Sequence, residues 1–366
     1  MKKYLALLLA LVMVFALAAC GTTTETTETT ETTEASALDV GVFYYDFSDV
    51  YISTVRNALD GMLNEAGIKY TNYDGASNQA SQTDQINTAI ANGANLLIVN
   101  IVETSSDDAA QNAVEAARTA GIPIIFFNRE VSNAVVSSYD KCAFVGTNAP
   151  EAGHMQGQLV GEYLVANYET VDLNGDGVIS YVMFKGQEGN AEAEARTQFG
   201  VEDADVVLAE AGKPALSFYN AGNADKYLVD QNGSWSAQAA NDYMTTILAE
   251  YSETAGNMVE LVICNNDGMA EGAVSALQTA GYNTGSDGSK TIPVFGVDAT
   301  DTAKQLINEG KMTGTIKQDN VGMASTIMTL VQNAEAGAEI MANTENYNVD
   351  ADAAKIRVPY GTYTGE

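Results

Sequence analysis

The chain reads as an α/β protein of two Rossmann-like lobes with parallel sheets, joined by a hinge of several chain segments. Three observations predict this. From residue 38 onward, apolar strand-like runs alternate with amphipathic helical stretches, the pattern of βαβ units. The alternation stops near Val145-Gly146-Thr147 and then restarts. The chain of 366 residues also exceeds what one hydrophobic core usually organises, about 250 to 300 residues.

Taken in order, VGVFYY is followed by the helical stretch VYISTVRNALDGMLNEAG. IKYTNY precedes QTDQINTAIANG, ANLLIVNI precedes DAAQNAVEAARTAG, and IPIIFFN closes the first set. Gly67, Gly93 and Gly121 each follow a helix and precede a strand, where a left-handed C-cap is wanted. The second set runs GHMQGQLVGEYLVANY, VISYVMFKG, ARTQFGVEDADVVL, LSFYN, SAQAANDYMTTILAEY, MVELVICNN, GMAEGAVSALQTAG and IPVFGVD. Ligands of open parallel sheets sit beyond the carboxyl ends of the strands. Two such lobes facing each other make one cleft.

Ahead of the folded part, Lys2 and Lys3, an apolar run from Tyr4 to Leu17 and Leu17-Ala18-Ala19-Cys20 have the architecture of a lipoprotein export signal. The run is shorter than the roughly 20 residues of a spanning helix. Residues 1–19 are therefore expected to be cleaved and Cys20 to carry lipid, anchoring the mature protein outside the cytoplasm. Residues 20–37 read as a Thr/Glu tether, with no large apolar side chain to drive a core.

Formal charge is −31, and loss of Lys2 and Lys3 makes the mature chain more negative still. Such a chain repels nucleic acid and anionic lipid headgroups, so no nucleic-acid partner is expected. Cys142 and Cys264 stand in apolar runs and read as buried small hydrophobes, not as a disulfide framework. His154 is the only histidine, which leaves triad and His-rich metal chemistry with a single anchor.

The strand ends carry Asp46, Asp49 and Tyr51, then Asn100, then Asn128-Arg129-Glu130. In the second set they carry Asn190, Glu192 and Arg196, then Asn265-Asn266-Asp267, then Asp298. Planar carboxylates, amides and a guanidinium hydrogen-bond in fixed two-pronged geometry, which suits adjacent hydroxyls of a sugar. Tyr51 and Trp235 would offer apolar faces to its ring. For each Asp or Asn singly, helix capping is the competing explanation. For Trp235 it is a place in the core.

Several stretches together resemble the bacterial galactose/glucose-binding proteins, the periplasmic-type (type I) sugar receptors of ABC importers: FFNRE (126–130), SYDK (138–141), VGT (145–147), DLNGDG (172–177), AEART (193–197), NND with MA and GAV (265–274) and IPVFGVDA (292–299). The resemblance implies a sugar site of Asp49, Asn128, Arg196, Asn266 and Asp298, with Tyr51 and Trp235 stacking on the ring. Asn190, Glu192 and Gln318 fall at site positions where that family has histidine, aspartate and asparagine. The two longer side chains each push a polar head about 1.5 Å further into the cleft. With imidazole replaced by carboxamide, binding is expected to be nearly flat between pH 6 and 8.

DLNGDGVIS (172–180) places oxygen donors at Asp172, Asn174, Asp176 and Ser180 and the Val178 carbonyl at the seventh position, the spacing of an EF-hand-type calcium loop. A bidentate glutamate is missing at the twelfth position, which is Met183. The resemblance supplies it from Glu260. A structural calcium ion is expected there.

Glu192 and Glu194, two residues apart on a helix, would point in different directions and form no hydrolase pair. No phosphate loop is present, so no enzymatic activity is expected. The resemblance implies a monomer that captures a monosaccharide and delivers it to a membrane permease by hinge closure, or one that serves as co-receptor for a chemoreceptor or sensor kinase. Chain crossings are expected near 145–150, 299–318 and 356–359. They divide the folded part into a first lobe of 38–147 with 319–355 and a second of 148–318 with 356–366.

Overall fold

The computed structural model describes residues 38–365; the expected export signal, Cys20 and the tether lie outside the described residues. The first lobe runs β1 (Asp39–Tyr44), α1 (Val50–Glu65), β2 (Lys69–Asp74), α2 (Gln79–Ala91), β3 (Leu96–Val99), α3 (Asp108–Ala120), β4 (Ile124–Phe127), the single turn α4 (Asn133–Val136) and β5 (Cys142–Gly146). Gly67, Gly93 and Gly121 have φ of 69°, 100° and 73°, the left-handed backbone that glycine adopts without steric cost. Gly121, as C-cap, returns its N–H to the Ala117 and Arg118 carbonyls.

The second lobe follows with α5 (Ala149–Val171), β6 (Ser180–Lys185), α6 (Ala191–Glu210), β7 (Ser217–Phe218), β8 (Leu228–Val229), α7 (Ala237–Glu250), β9 (Leu261–Cys264), α8 (Asp267–Thr279), β10 (Val294–Asp298), α9 (Asp301–Asn308) and β11 (Gly314–Gln318). The chain then returns to the first lobe as α10 (Asn320–Glu335), β12 (Asn348–Val349) and β13 (Lys355–Arg357), and ends in the second as β14 (Tyr360–Tyr363).

The first sheet has the order β12-β13-β5-β4-β3-β1-β2 and the second β14-β11-β10-β9-β6-β7, with β8 also pairing β6. Pairing is parallel except at β12–β13 and β11–β14. Each sheet therefore has a doubly wound core whose strand order reverses, between β1 and β3 in one and between β6 and β9 in the other. Such switch points open a crevice at the carboxyl ends of the strands. Leu96–Val99, Ile124–Phe127 and Leu261–Cys264 are buried along their whole lengths, as central parallel strands covered on both faces must be. The polar β2 is the edge. Each fully buried Leu, Ile or Phe contributes about 1.5–3 kcal/mol relative to exposure.

Gly153, Gly157 and Gly161 repeat at i, i+4 along α5 and press on α6: a Cβ at Gly157 would stand 2.3 Å from the Phe199 carbonyl oxygen. This close approach seats the N-terminus of α6, with its polar cluster, at the cleft.

The expected crossings shift in two places. Residues 299–318 do not cross; they form α9 and β11 of the second lobe, and the chain passes over only between Gln318 and Asn320. Ile356 and Arg357 belong to the first sheet, because they pair in register with Val145 and Gly146 and give the outer edge of β5 its hydrogen-bond partners. Arg357 is tied there to Glu130 and Asp350. Among the described residues, no helix is long and apolar enough to cross a membrane.

Candidate functional site

One cavity between the lobes is lined by Asp49, Tyr51, Asn128, Asn190, Glu192, Arg196, Trp235, Asn266, Asp298 and Gln318, which are the ten positions that the resemblance implied. Tyr45, Ile52 and Arg129 line it as well. Arg129 is among the polar residues at the strand ends but not among the ten; sequence reasoning passed over Tyr45 and Ile52, although Tyr45 directly follows β1.

Capping and lining are the same placement for three of these residues. Asp49 is the N-cap of α1 and accepts from Ile52 N at 2.8 Å, with Tyr45 Oη donating to its other oxygen at 2.5 Å. Asn190 caps α6 through Ala193 N at 3.0 Å, and Asn266 caps α8 through Met269 N at 2.9 Å. A cap spends one oxygen on the helix, and the rest of the side chain can reach elsewhere; Asn266 Nδ2 donates to the Trp235 carbonyl at 3.2 Å. Three helix N-termini thus converge on the cavity.

The remaining members are held from behind. Asn100, fully buried, donates to the Phe127 carbonyl at 3.1 Å and to Asn128 Oδ1 at 3.2 Å. Arg129 lies 4.1 Å over the Tyr45 ring and donates to the Val102 carbonyl at 3.0 Å and to Gln187 of the opposite lobe. Arg196 donates to the Asn265 carbonyl at 2.9 Å, to Tyr360 Oη at 3.0 Å and to Gln318 Oε1 at 3.2 Å. The Trp235 ring rests flat on Gly186, where an added Cβ would stand 2.1 Å from it. Asn128, Trp235 and Asp298 have φ of 63°, 56° and 130°. Left-handed backbone at non-glycine residues costs of order 1–3 kcal/mol each and clusters at functional sites.

Six buried polar atoms of these residues have no protein partner: Arg129 Nε, Arg196 Nε, Trp235 Nε1, Gln318 Nε2 and both carboxylate oxygens of Glu192. Burial raises the pKa values of Glu192 and Asp49, and it raises that of Asp298 strongly. Unsatisfied buried groups cost about 1–3 kcal/mol each. A ligand that relieves them must present acceptors to four N–H groups and donors to one carboxylate.

Glu194 turns away from the cavity, as the two-residue offset requires. It accepts from Gly189 N and pairs with the buried Lys185, which also holds Glu188. His154 lies outside the cavity, stacked on Phe199 and bonded to Asp203 at 2.7 Å. Cys142 and Cys264 are buried free thiols.

The loop from Asp172 to Ser180 joins α5 to β6. Asp172, Asn174 and Asp176 turn their side-chain oxygens onto loop N–H groups of Gly177, Asp176 and Val178 at 2.8–2.9 Å. Glu260 accepts from Leu173 N, Asn174 N and Ser180 N, and Ser180 Oγ donates to the Met258 carbonyl. The donor set is all hard oxygen, the chemistry that calcium takes. Its carboxylates are occupied by backbone, and among the described residues no three His, Cys, Asp or Glu side chains converge as a metal centre.

Residues 40–339 match the model of the periplasmic binding protein domain. The chain is 31% identical over 322 residues, 88% of each chain, to the D-galactose/methyl-galactoside binding periplasmic protein of Haemophilus influenzae. It is 29% identical over 289 residues, 79% of this chain and 81% of the other, to a putative rhizopine-binding protein of Rhizobium meliloti. Among solved structures, an ABC transporter solute binding protein from Bacillus halodurans with bound myo-inositol superposes with a TM-score of 0.67 at 21% identity, over 91% of this chain and 96% of that one. These relatives are binding proteins and not enzymes. By the family match, the identity to the galactoside-binding relative and the two doubly wound lobes, the chain belongs to the periplasmic binding protein family.

Proposed function

We propose that this protein captures a monosaccharide, a galactose- or glucose-like hexose, outside the cytoplasm and delivers it to the membrane permease of an ABC importer. The observation that carries this reading is the set of six unpartnered buried atoms. A hydroxyl both donates and accepts, so adjacent ring hydroxyls answer guanidinium, indole and amide N–H groups and the Glu192 carboxylate together. The Trp235 and Tyr51 side chains supply apolar area for the ring. The galactoside-binding relative points to a hexose, and the myo-inositol-bound neighbour to cyclic polyols more widely.

Since its lining residues come from both lobes, a ligand in the cavity would favour the closed arrangement by touching both at once. The mature protein is proposed to act as a monomer held at the membrane by lipid on Cys20. Deletion that abolishes hexose uptake but leaves sugar signalling intact would separate transport from a chemoreceptor or sensor-kinase role.

A thermal-shift screen of hexoses, pentoses, inositols and methyl glycosides tests the reading. A hexose is expected to raise the melting temperature most. Asp49→Asn keeps the cap on Ile52 but loses the charged acceptor, and is expected to weaken affinity by roughly 10- to 100-fold, the worth of a hydrogen bond to an ionised group. No shift with any sugar would reject sugar capture.

Calcium is proposed as a structural ligand of the 172–180 loop, held by Asp172, Asn174, Asp176, the Val178 carbonyl, Ser180 and Glu260, the last drawn partly off its N–H donors. A calcium concentration a hundred times Kd would stabilise the fold by about 2.7 kcal/mol. The check is unfolding in calcium against chelator, with Glu260→Gln as control. Equal melting temperatures in both would exclude the ion.

A further inference from the structure

Directly behind Asp298 lie two carboxyls that sugar contact does not use, the buried Asp267 and the half-buried Glu271. Asp267, the first residue of α8, is wholly buried; its Oδ1 accepts from Thr315 Oγ1 at 2.6 Å and its Oδ2 from Thr300 N at 2.8 Å. One turn further along α8, Glu271 accepts from Thr300 Oγ1 at 3.1 Å. Asp298, at the end of β10, accepts from the Asp267 N–H and lines the cavity. The packing is tight, for a Cβ on Gly296 would stand 2.3 Å from Asp267 Oδ1.

The surroundings offer this trio little positive charge. Arg196 of α6 favours the ionised form of Asp298, while Asp267 and Asp49, the cap of α1, disfavour it. Tyr51 of α1 and Cys264 of β9 face Asp298 and Asp267 and have their own ionisation pushed up by burial. The contacts from β11 and the cap of α9 are neutral donors, the hydroxyls of Thr315 and Thr300 and the Thr300 N–H. Burial pushes Asp267 up to about 6 and Glu271 up to about 7, and raises Asp298 well above the usual carboxylate range. Neighbouring carboxyls in a low-dielectric interior do not all ionise near neutrality, and their protons belong to the group.

We propose that Asp267 and Glu271 are positioning residues that act through Asp298, holding a proton which the cluster gives up when a hydroxylated ligand hydrogen-bonds to Asp298. This rests on the sugar reading above. A hydroxyl donated to Asp298 favours its carboxylate form, so the cluster binds protons less tightly with ligand present than without it. Affinity is then full above the pKa values of the ligand-free cluster and is lost as pH falls through the window from about 7 to 6. The flat profile that Asn190 in place of histidine predicts gives way to a slope that comes from a different set of groups.

The test is titration calorimetry of the mature protein with D-galactose and D-glucose between about pH 6 and 8, in two buffers of different ionisation enthalpy. Expected is release of up to one proton on binding, and a Kd that rises toward acid by at most about tenfold per pH unit, the limit for one linked proton. Glu271→Gln keeps an oxygen for Thr300 and is expected to leave Kd at pH 8 within about twofold while flattening the acid limb. Asp267→Asn should flatten it too, where that variant folds. A sugar bound with pH-independent Kd and buffer-independent heat overturns the proton link and leaves sugar capture standing. A wild-type slope that persists unchanged in Glu271→Gln overturns the assignment to this cluster. Failure of both sugars to bind at any pH, in a protein that another hydroxylated compound also leaves unshifted, overturns both readings.

Discussion

Replacing Arg196 by methionine is expected to cost more ligand affinity than any other single change in the cavity, at least about 100-fold in Kd. Arg196 is 4% exposed, so its charge is screened little by solvent. It organises residues on three other elements, Asn265 after β9, Gln318 on β11 and Tyr360 on β14, and keeps Nε free toward the cavity. Methionine fills similar space but donates nothing. Gln318 Oε1 then lacks its donor, and Asp298 and Glu192 lose the cation that opposes their rise in pKa. Breaking a buried charge arrangement from one side costs about 3–5 kcal/mol, and each 1.4 kcal/mol is tenfold in Kd. Calorimetry with the wild-type ligand, together with denaturant unfolding of the ligand-free variant, separates the two parts of the loss. Affinity within about threefold of wild type would mean that Arg196 makes no ligand contact.

The second large effect is on stability and comes from a glycine far from any turn. A Cβ on Gly272 of α8 would lie 2.0 Å from the Ala237 carbonyl oxygen, the backbone of α7, which cannot yield as a side-chain tip can. Gly272→Ala is expected to destabilise the fold by about 3 kcal/mol, the upper part of the usual range for overpacking. Gly61, inside α1, has nothing within 4 Å of an added Cβ. Gly61→Ala is expected to stabilise by roughly 0.5–1 kcal/mol through helix propensity alone. Urea midpoints of the two variants should move in opposite directions. A shift of the same sign and size in both would show that the α7–α8 contact is looser than the backbone distance implies.

Much of this protein is legible without coordinates, because its determinants are local. Alternating apolar runs and amphipathic stretches follow from the periods of strand and helix. The C-terminal glycines of α1, α2 and α3 follow from left-handed backbone. The polar residues at strand ends follow from where open parallel sheets bind. The choice between cap and ligand, open at Asp49, Asn190 and Asn266 in the sequence, dissolves in the structure, since each side chain caps its helix and lines the cavity.

What the linear pattern determined, then, is two lobes and a cleft with polar strand ends; the resemblance implied the ten positions that line the cavity. Tertiary structure alone decided the rest. Ile356 and Arg357 joined the first sheet through pairing with a strand some two hundred residues earlier. Tyr45 entered the cavity wall, with Arg129 stacked over its ring. The buried Asp267 and the half-buried Glu271 came together behind Asp298 through the shared Thr300. Burial, hydrogen-bond satisfaction and pKa depend on which distant segments exclude water from a group, and that is a property of the packed chain and not of neighbours in sequence.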